Sequence, residues 1–417
     1  GMLVTESVDL QIARELLSRG FLTPIRSLAD SDFVPDLVIP VLDDVTNLQA
    51  CLATSSGTHA VVVDDGSEDA DALAAVARAS GADIVRHERN LGPAAARNTG
   101  MQFTRTPVVA FIDADCVASK NWSAQLLSHF ADTRVGAVAP RVRPVPDSGK
   151  LLGRFERTRS ALDMGARPGL VQPGAQLSFV PSAALLVRRS AVGADAFDKD
   201  LRLGEDVDLI WRLTESGWIV RYDPSIEVHH RTRVAFQQWL KRRFEYGTSA
   251  ADLETRHPGK LTPLRISPWN ASALLLLACG HPLIAIGVTV GAVTLLWRQL
   301  RDLPAAPALS IRLVAKGVLA DGVALGHLLR REWWPVGMLL LAATPRSRTA
   351  RHASLAILGP IAWEWCTTRT HVDPISYAIL RLIEDAAYGS GVIASSVRAR
   401  KWQPLVPRLA RRRRKRA

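Results

Sequence analysis

Cysteine is scarce in this chain. Cys51, Cys116, Cys279 and Cys366 are the four among 417 residues, far apart and with no C-x-x-C. That excludes a disulfide framework and a cysteine-based zinc site, and it suits a reducing compartment. Neither G-x-G-x-x-G nor G-x-x-x-x-G-K-[ST] occurs, so there is no dinucleotide fingerprint and no P-loop. Phosphates bound here must be neutralised in another way. The basic run Arg411 to Arg416 has no aromatic residue interleaved with it, which argues against a nucleic-acid surface.

What is present is apolar and basic. The chain is 47% hydrophobic with a formal charge of +12, enough for one large core and a second region. Residues Ala271 to Trp297 carry no formal charge over 27 positions, a length that can cross a hydrocarbon layer of about 30 Å. Gly280-His281-Pro282 breaks this run, so it reads as one kinked span or a re-entrant hairpin, with a buried hairpin of a soluble domain as the alternative. Trp333 to Ala343 and Leu355 to Trp365 are too short to span, and Arg330, Arg331, Arg346, Arg348 and Arg351 flank them. Short apolar helices edged by Arg and Trp read as lying in a membrane interface. The expected partner of the basic tail is therefore an anionic membrane surface, at the cytoplasmic face of the cell membrane.

The first half has a different pattern. A leading helix is expected over DLQIARELLSRGFL, with Ile12, Leu16 and Leu17 on one face and Gly20 as its stop. From Asp36, short apolar runs (LVIPVL, HAVVVDDGS, ADIVRHE, PVVAFIDAD) alternate with helical stretches such as DVTNLQACLAT and DADALAAVARAS. This specifies an α/β layer, a Rossmann-like, mostly parallel sheet with helices on both faces and ligands at the carboxyl ends of its strands. Acids fall at those ends: Asp64 and Asp65 after VVV, with Gly66 permitting a sharp exit, and Asp113 and Asp115 after VVAFI. Paired carboxylates at a strand tip need water or a cation. With no glycine-rich phosphate loop, a divalent metal shared with a diphosphate satisfies both requirements, while a solvated turn is the bland alternative.

In their order and spacing, IPVLDDVTNLQACL, VVVDDGSED, RNLGPAAARNTG, FIDADC and LGEDVDLIWRL resemble inverting family-two glycosyltransferases of GT-A fold. The later VHHRT and QQWLKRRFEYG are similar to that family's C-terminal elements, and RNLGPAAARNTG and LRLGEDVDLIWRL resemble its mycofactocin-system branch. The resemblance implies transfer of β-linked glucose from UDP-glucose to the peptide-derived redox cofactor mycofactocin or its precursor, with Mg²⁺ or Mn²⁺. By the same resemblance, Pro40, Asp64, Asp65 and Gly92 lie on the nucleotide side, with Arg97 near the base and Asp113 near the ribose. Asp115 binds the metal, with His229, or alternatively His230. Asp206 is the catalytic base, Glu205 is its neighbour on the substrate side, and Arg243 contacts the diphosphate. Phe244 stands where processive polysaccharide synthases carry Trp, which argues against long-chain processivity.

The domains expected are a helical segment 1–35, a GT-A catalytic domain 36–265, a hydrophobic helical membrane-associated region 266–405 and a basic tail 406–417. Alternatives are a membrane polysaccharide or glycolipid glycosyltransferase, a non-catalytic nucleotide-sugar-binding scaffold, and a haloacid-dehalogenase-type phosphatase. The last would need its D-x-D on the first core strand, and it leaves VVVDDGS and GEDVDL unexplained.

Overall fold

The computed structural model describes residues 12, 16, 33–55, 57–145, 149–231, 235–368 and 370–410. The leading helix, apart from Ile12 and Leu16, and the run Arg411 to Arg416 lie outside the described residues. The chain divides into two compact units, Gly1–Arg233 and Val234–Ala417. The division falls earlier than the expected boundary at 265. The helix Phe236–Thr248, which the sequence groups with the catalytic domain, packs along Pro374–Ala399 inside the second unit. Small residues permit that approach: a Cβ on Gly391 would stand 2.9 Å from the Gly247 Cα.

The first unit is a mixed α/β, GT-A-like sheet. Its described strands are β1 (Asp36–Val41), β2 (Ala60–Asp64), β3 (Asp83–Arg86), β4 (Val108–Ile112), β5 (Cys116–Ala118), β6 (Val135–Pro144), β7 (Gly169–Leu170), β8 (Ala184–Arg188) and β9 (Ile219–His230). They lie in the order β3-β2-β1-β4-β8-β6-β9-β5, with β7 on β9. The half β3-β2-β1-β4 is parallel, as strand-helix alternation requires. Beyond β4 the sheet is mixed: β6 and β9 pair in parallel, as expected, but other pairings there are antiparallel. Strand β8 runs antiparallel to both β4 and β6, and β5 runs antiparallel to β9. The short Asp113–Cys116 connection, closed by a Cys116 N–H to Asp113 carbonyl bond of 2.9 Å, leads from β4 to β5 without a helical crossover, and β5 pairs at the far end of the sheet.

The parallel strands are buried on both faces, which explains why they read as unbroken apolar runs. Val62 packs with Ile39, Leu48 and Leu73 on one side, and Val61 and Val63 pack with Ala96 on the other. Ala96 belongs to the helix Pro93–Gln102, which seats Gly100 on the strands: a Cβ there would overlap Val38 and stand 3.0 Å from Val63 Cγ2.

The second unit is helical, with long elements at Pro282–Gln299, Ala306–Arg330, Arg348–Thr368 and Pro374–Ala399. The uncharged run is two helices, Pro268–Ala278 and Pro282–Gln299, interrupted at Gly280 with φ +84°. Pro282–Gln299 is long and apolar enough to cross a membrane, and 6% of it is buried. The two short apolar runs became the helix Trp334–Ala342 and the later part of Arg348–Thr368, which contains Pro360. Charges occupy the interior of this unit. Arg381, 1% exposed, bonds Glu384 at 2.9 Å and Glu364 at 3.3 Å, while Arg330 bonds Asp385 at 2.6 Å. Large apolar side chains occupy its exterior, with Leu283 82%, Trp363 74% and Leu339 72% exposed.

The close seat of the Pro93–Gln102 helix generates a stability prediction. Gly100→Ala should cost about 1–3 kcal/mol through overpacking. Gly149→Ala, where an added Cβ meets nothing within 4 Å, should stay within about 0.5 kcal/mol. Denaturation midpoints of the two full-length variants check the contrast.

Candidate active site

The tips of β2 and β4 and the start of the helix Glu205–Glu215 carry the acids that the sequence singles out. Their surroundings separate them into two kinds.

Asp64 and Asp65 are 1% and 4% exposed, and their oxygens are taken by the protein. Asp64 accepts from Ser67 N–H at 2.9 Å and from Arg86 Nη1 at 3.2 Å. Asp65 Oδ1 meets His87 Nδ1 at 2.7 Å and accepts from Leu91 N–H at 2.9 Å, while its Oδ2 accepts from Gly92 N–H at 2.8 Å. In this structure both acids fasten the loops that the family pattern assigns to nucleotide contact. Gly92 is the N-cap of the Pro93–Gln102 helix, so Asp65 sets where that helix begins. Pro40 sits within β1, opposite Val63 of β2.

Asp113 and Asp115 remain partly open, with side chains 30% and 28% exposed. Strand β5 leaves this turn and pairs antiparallel with β9, setting Cys116 against His230 and Val117 against His229. Successive side chains of a strand point to opposite faces. His230 therefore reaches Asp115, Nε2 to Oδ2 3.1 Å, and His229 faces away. His229 instead lines an open cavity of about 510 Å³ with Ser119, Gln125 and Glu227. Of the two histidines named as alternatives, His230 is the one that stands at Asp115. Burial alone would lower the His230 pKa, but the bond to Asp115 and the acid's charge outweigh it and raise it. No group of three or more His, Cys, Asp or Glu is gathered for a metal among the described residues. Asp115 alone offers the carboxylate that Mg²⁺ or Mn²⁺ takes, with the rest of the shell left to water and substrate phosphate oxygens, and His230 stands beside it. The nearby thiols have no part in this chemistry. Burial pushes Cys51 up to about 12 and Cys116 well above its usual range.

Glu205 and Asp206 open their helix after Gly204, which has φ +82°. Asp206 accepts from Val207 N–H at 2.8 Å and, at 3.4 Å, from Ser182 N–H. Burial first, and then the adjacent Glu205 charge, push its carboxyl up to about 7. A carboxylate with that affinity, on a partly accessible surface, can take up a proton near neutral pH. Trp211 is core, 3% exposed, with its Nε1 donating to the Ser178 carbonyl at 2.8 Å.

The residue that joins these groups is Arg97, 3% exposed. Its Nη2 donates to Asp113 Oδ1 at 2.6 Å and its Nη1 to Glu205 Oε1 at 2.9 Å. Burial opposes its charge, but Asp113 and Glu205 together outweigh burial and raise its pKa. Arg243 lies in the second unit, 6% exposed, with its Nε donating to Glu384 at 2.8 Å. Sequence reading missed the internal engagement of Asp64, Asp65, Arg97 and Arg243. Adjacency of His229 and His230 on a strand was a usable signal, since alternation allows only one of them to face Asp115.

The two kinds of acid should separate experimentally. Asp65→Ala strands the buried Gly92 N–H, at about 1–3 kcal/mol, removes the bond to the more exposed Leu91 N–H, and should lower the thermal midpoint clearly. Asp115→Ala should change stability by about 1 kcal/mol or less, since its ion pair is partly solvated. Melting curves of both variants check this.

Comparison with known proteins identifies the family. Residues 36–193 match the sequence profile of glycosyl transferase family 2. The chain is 33% identical over 421 residues to the pre-mycofactocin glycosyltransferase of Mycobacterium tuberculosis, covering 97% of this chain and 88% of that protein. It is 27% identical over 223 residues to glycosyltransferase AglE of Haloferax volcanii, covering 51% and 71% respectively. The solved mannosyltransferase PcManGT of Pyrobaculum calidifontis superimposes with a TM-score of 0.44 at 16% identity, covering 89% of this chain and 94% of that one. With a third of its residues identical to one relative along nearly its whole length, the chain belongs to glycosyltransferase family 2.

Proposed function

We propose that this chain is a metal-dependent, inverting hexosyltransferase that moves glucose from a UDP-sugar, in β-linkage, to the precursor of mycofactocin. The observation that carries the acceptor assignment is the chain-long identity to the pre-mycofactocin glycosyltransferase. The support for the mechanism is Asp206, an acid of raised proton affinity beside Glu205, with Glu205 tied through Arg97 to Asp113.

In this reading an acceptor hydroxyl attacks the anomeric carbon as the bond to UDP breaks. The hydroxyl proton passes to Asp206, and a single in-line displacement inverts the carbon. Asp113 offers its outer oxygen to the ribose side. Asp115 and His230 would hold the divalent cation, which when bound offsets charge on the diphosphate. Glu205 keeps the Asp206 proton affinity near the working pH.

A screen of UDP- and GDP-sugars with Mg²⁺ or Mn²⁺, with and without the precursor, tests donor and acceptor through nucleotide release. Asp206→Asn should lower kcat by about 10² to 10⁴ while UDP binding persists. Because the folded Asp206 carboxyl is raised to about 7, the ionised form the reaction needs is lost as pH falls through 7. The acid limb of kcat/KM should therefore lie near pH 7 and move downward in Glu205→Gln, which removes the adjacent negative charge. Wild-type turnover in Asp206→Asn, or an α-linkage from an α-linked donor, would remove Asp206 from this role.

The same proposal places the enzyme on the anionic cytoplasmic leaflet of the cell membrane. Its support is the second unit, where most of the exposed large apolar side chains of the described residues fall between Trp269 and Leu409. Soluble proteins rarely expose apolar patches beyond a few hundred Å². Extraction should require detergent, and deleting Arg411 to Arg416 should weaken co-sedimentation with anionic vesicles more than with neutral ones. A monodisperse full-length protein in plain buffer would contradict membrane association.

A further inference from the structure

The family pattern assigns Arg97 to the nucleotide base, but the atoms around it describe another task. A base-contacting arginine needs at least one guanidinium edge facing the donor. Here both terminal nitrogens bond protein acids, Nη2 to Asp113 at 2.6 Å and Nη1 to Glu205 at 2.9 Å, while Nε is buried without a hydrogen-bond partner among the described residues. The guanidinium lies 5.4 Å from the Phe197 ring centroid. The next residue braces that ring's backbone: Asn98 accepts from Phe197 N–H at 2.9 Å and donates to its carbonyl at 2.7 Å. Phe197 in turn packs edge-on against Phe111 of β4, with centroids 5.2 Å apart.

Each carboxylate gives Arg97 one oxygen. Asp113 Oδ2 and Glu205 Oε2 have no side-chain partner among the described residues. Asp113 follows β4, whereas Glu205 opens a helix 108 residues along the chain from Arg97. No strand pairing connects these two points directly.

We infer that Arg97 is a positioning residue: a buried fork that fixes the donor-side acid Asp113 and the acceptor-side acid Glu205, and through Glu205 the base Asp206, in one geometry. The inference rests on the reading of Asp206 as the base. A guanidinium suits the task because its two terminal nitrogens donate to two carboxylates along fixed, separate directions. Lysine has three donors but only one nitrogen on a flexible stem, so it cannot hold both acids in the same fixed geometry. Loss of the fork leaves two carboxylates turned against each other beside Asp206, and the acceptor hydroxyl loses its alignment.

The test compares Arg97→Lys, Arg97→Met, Glu205→Gln and the Arg97→Lys/Glu205→Gln double variant in the full-length enzyme. Nucleotide affinity is measured by calorimetry, and kcat and donor KM are measured separately. The nucleoside diphosphate used is the one that the donor screen identifies with wild type, so a failure of the uridine reading is seen there first. A positioning role predicts nucleotide Kd within about threefold of wild type and kcat lower by about 10²-fold, as for a small misplacement of reacting groups. It also predicts that the double variant is no slower than the slower single one, because both act on the same coupling. If Arg97→Met does not fold, Arg97→Lys alone decides, since it keeps the charge but not the fork. A tenfold or greater rise in Kd with kcat retained would return Arg97 to the base and overturn the inference. Additive losses in the double variant would overturn it as well.

Discussion

One buried cation held between two acids organises this catalytic unit. Arg97 lies at the centre of the contact between the parallel half-sheet and the helix that opens with Glu205 and Asp206. Removing one partner from a buried ion pair typically costs roughly 3–5 kcal/mol, because a charge is left without water or a counterion. That cost confines the neighbouring sequence. In the run Arg97-Asn98-Thr99-Gly100, the arginine bridges acids, the asparagine clamps Phe197 and the glycine seats the helix on Val38. Thr99 joins in by meeting His87 at 2.9 Å, and His87 reaches Asp65. The motif that the resemblance assigns to nucleotide binding also ties chain segments together through these bonds.

The outer parts of the site follow a different logic. Asp115 and His230 are neighbours because β5 and β9 are antiparallel and in register, not because of any sequence proximity. The opposite face of the same two strands forms the cavity at His229. Adjacent histidines thus serve unrelated environments.

The second unit inverts the usual distribution of polarity. Its interior holds Arg243, Arg330, Arg381, Glu384 and Asp385 in mutual ion pairs, and its exterior presents leucine, isoleucine and tryptophan. An ionic core of this kind is stable only when every charge has a partner. Arg243, which the resemblance places at the diphosphate, is one of those partners through its bond to Glu384.

Local order was legible in the sequence: the four parallel strands, the helices between them and acids at the strand tips all follow from apolar periodicity and breakers. The break at Gly280 and the helix start at Gly204 were legible for the same reason, since both depend on neighbouring residues only. Which acids stay open to a ligand was not. Asp64 and Asp113 look alike as residues ending apolar strands, yet one is sealed by Ser67 and Arg86 and the other keeps an oxygen free. The antiparallel insertion of β8, the choice of His230 over His229 and the bridging by Arg97 also belong to the tertiary structure. Each depends on a partner brought from tens of residues away, and chain periodicity carries no information about that partner's distance or direction.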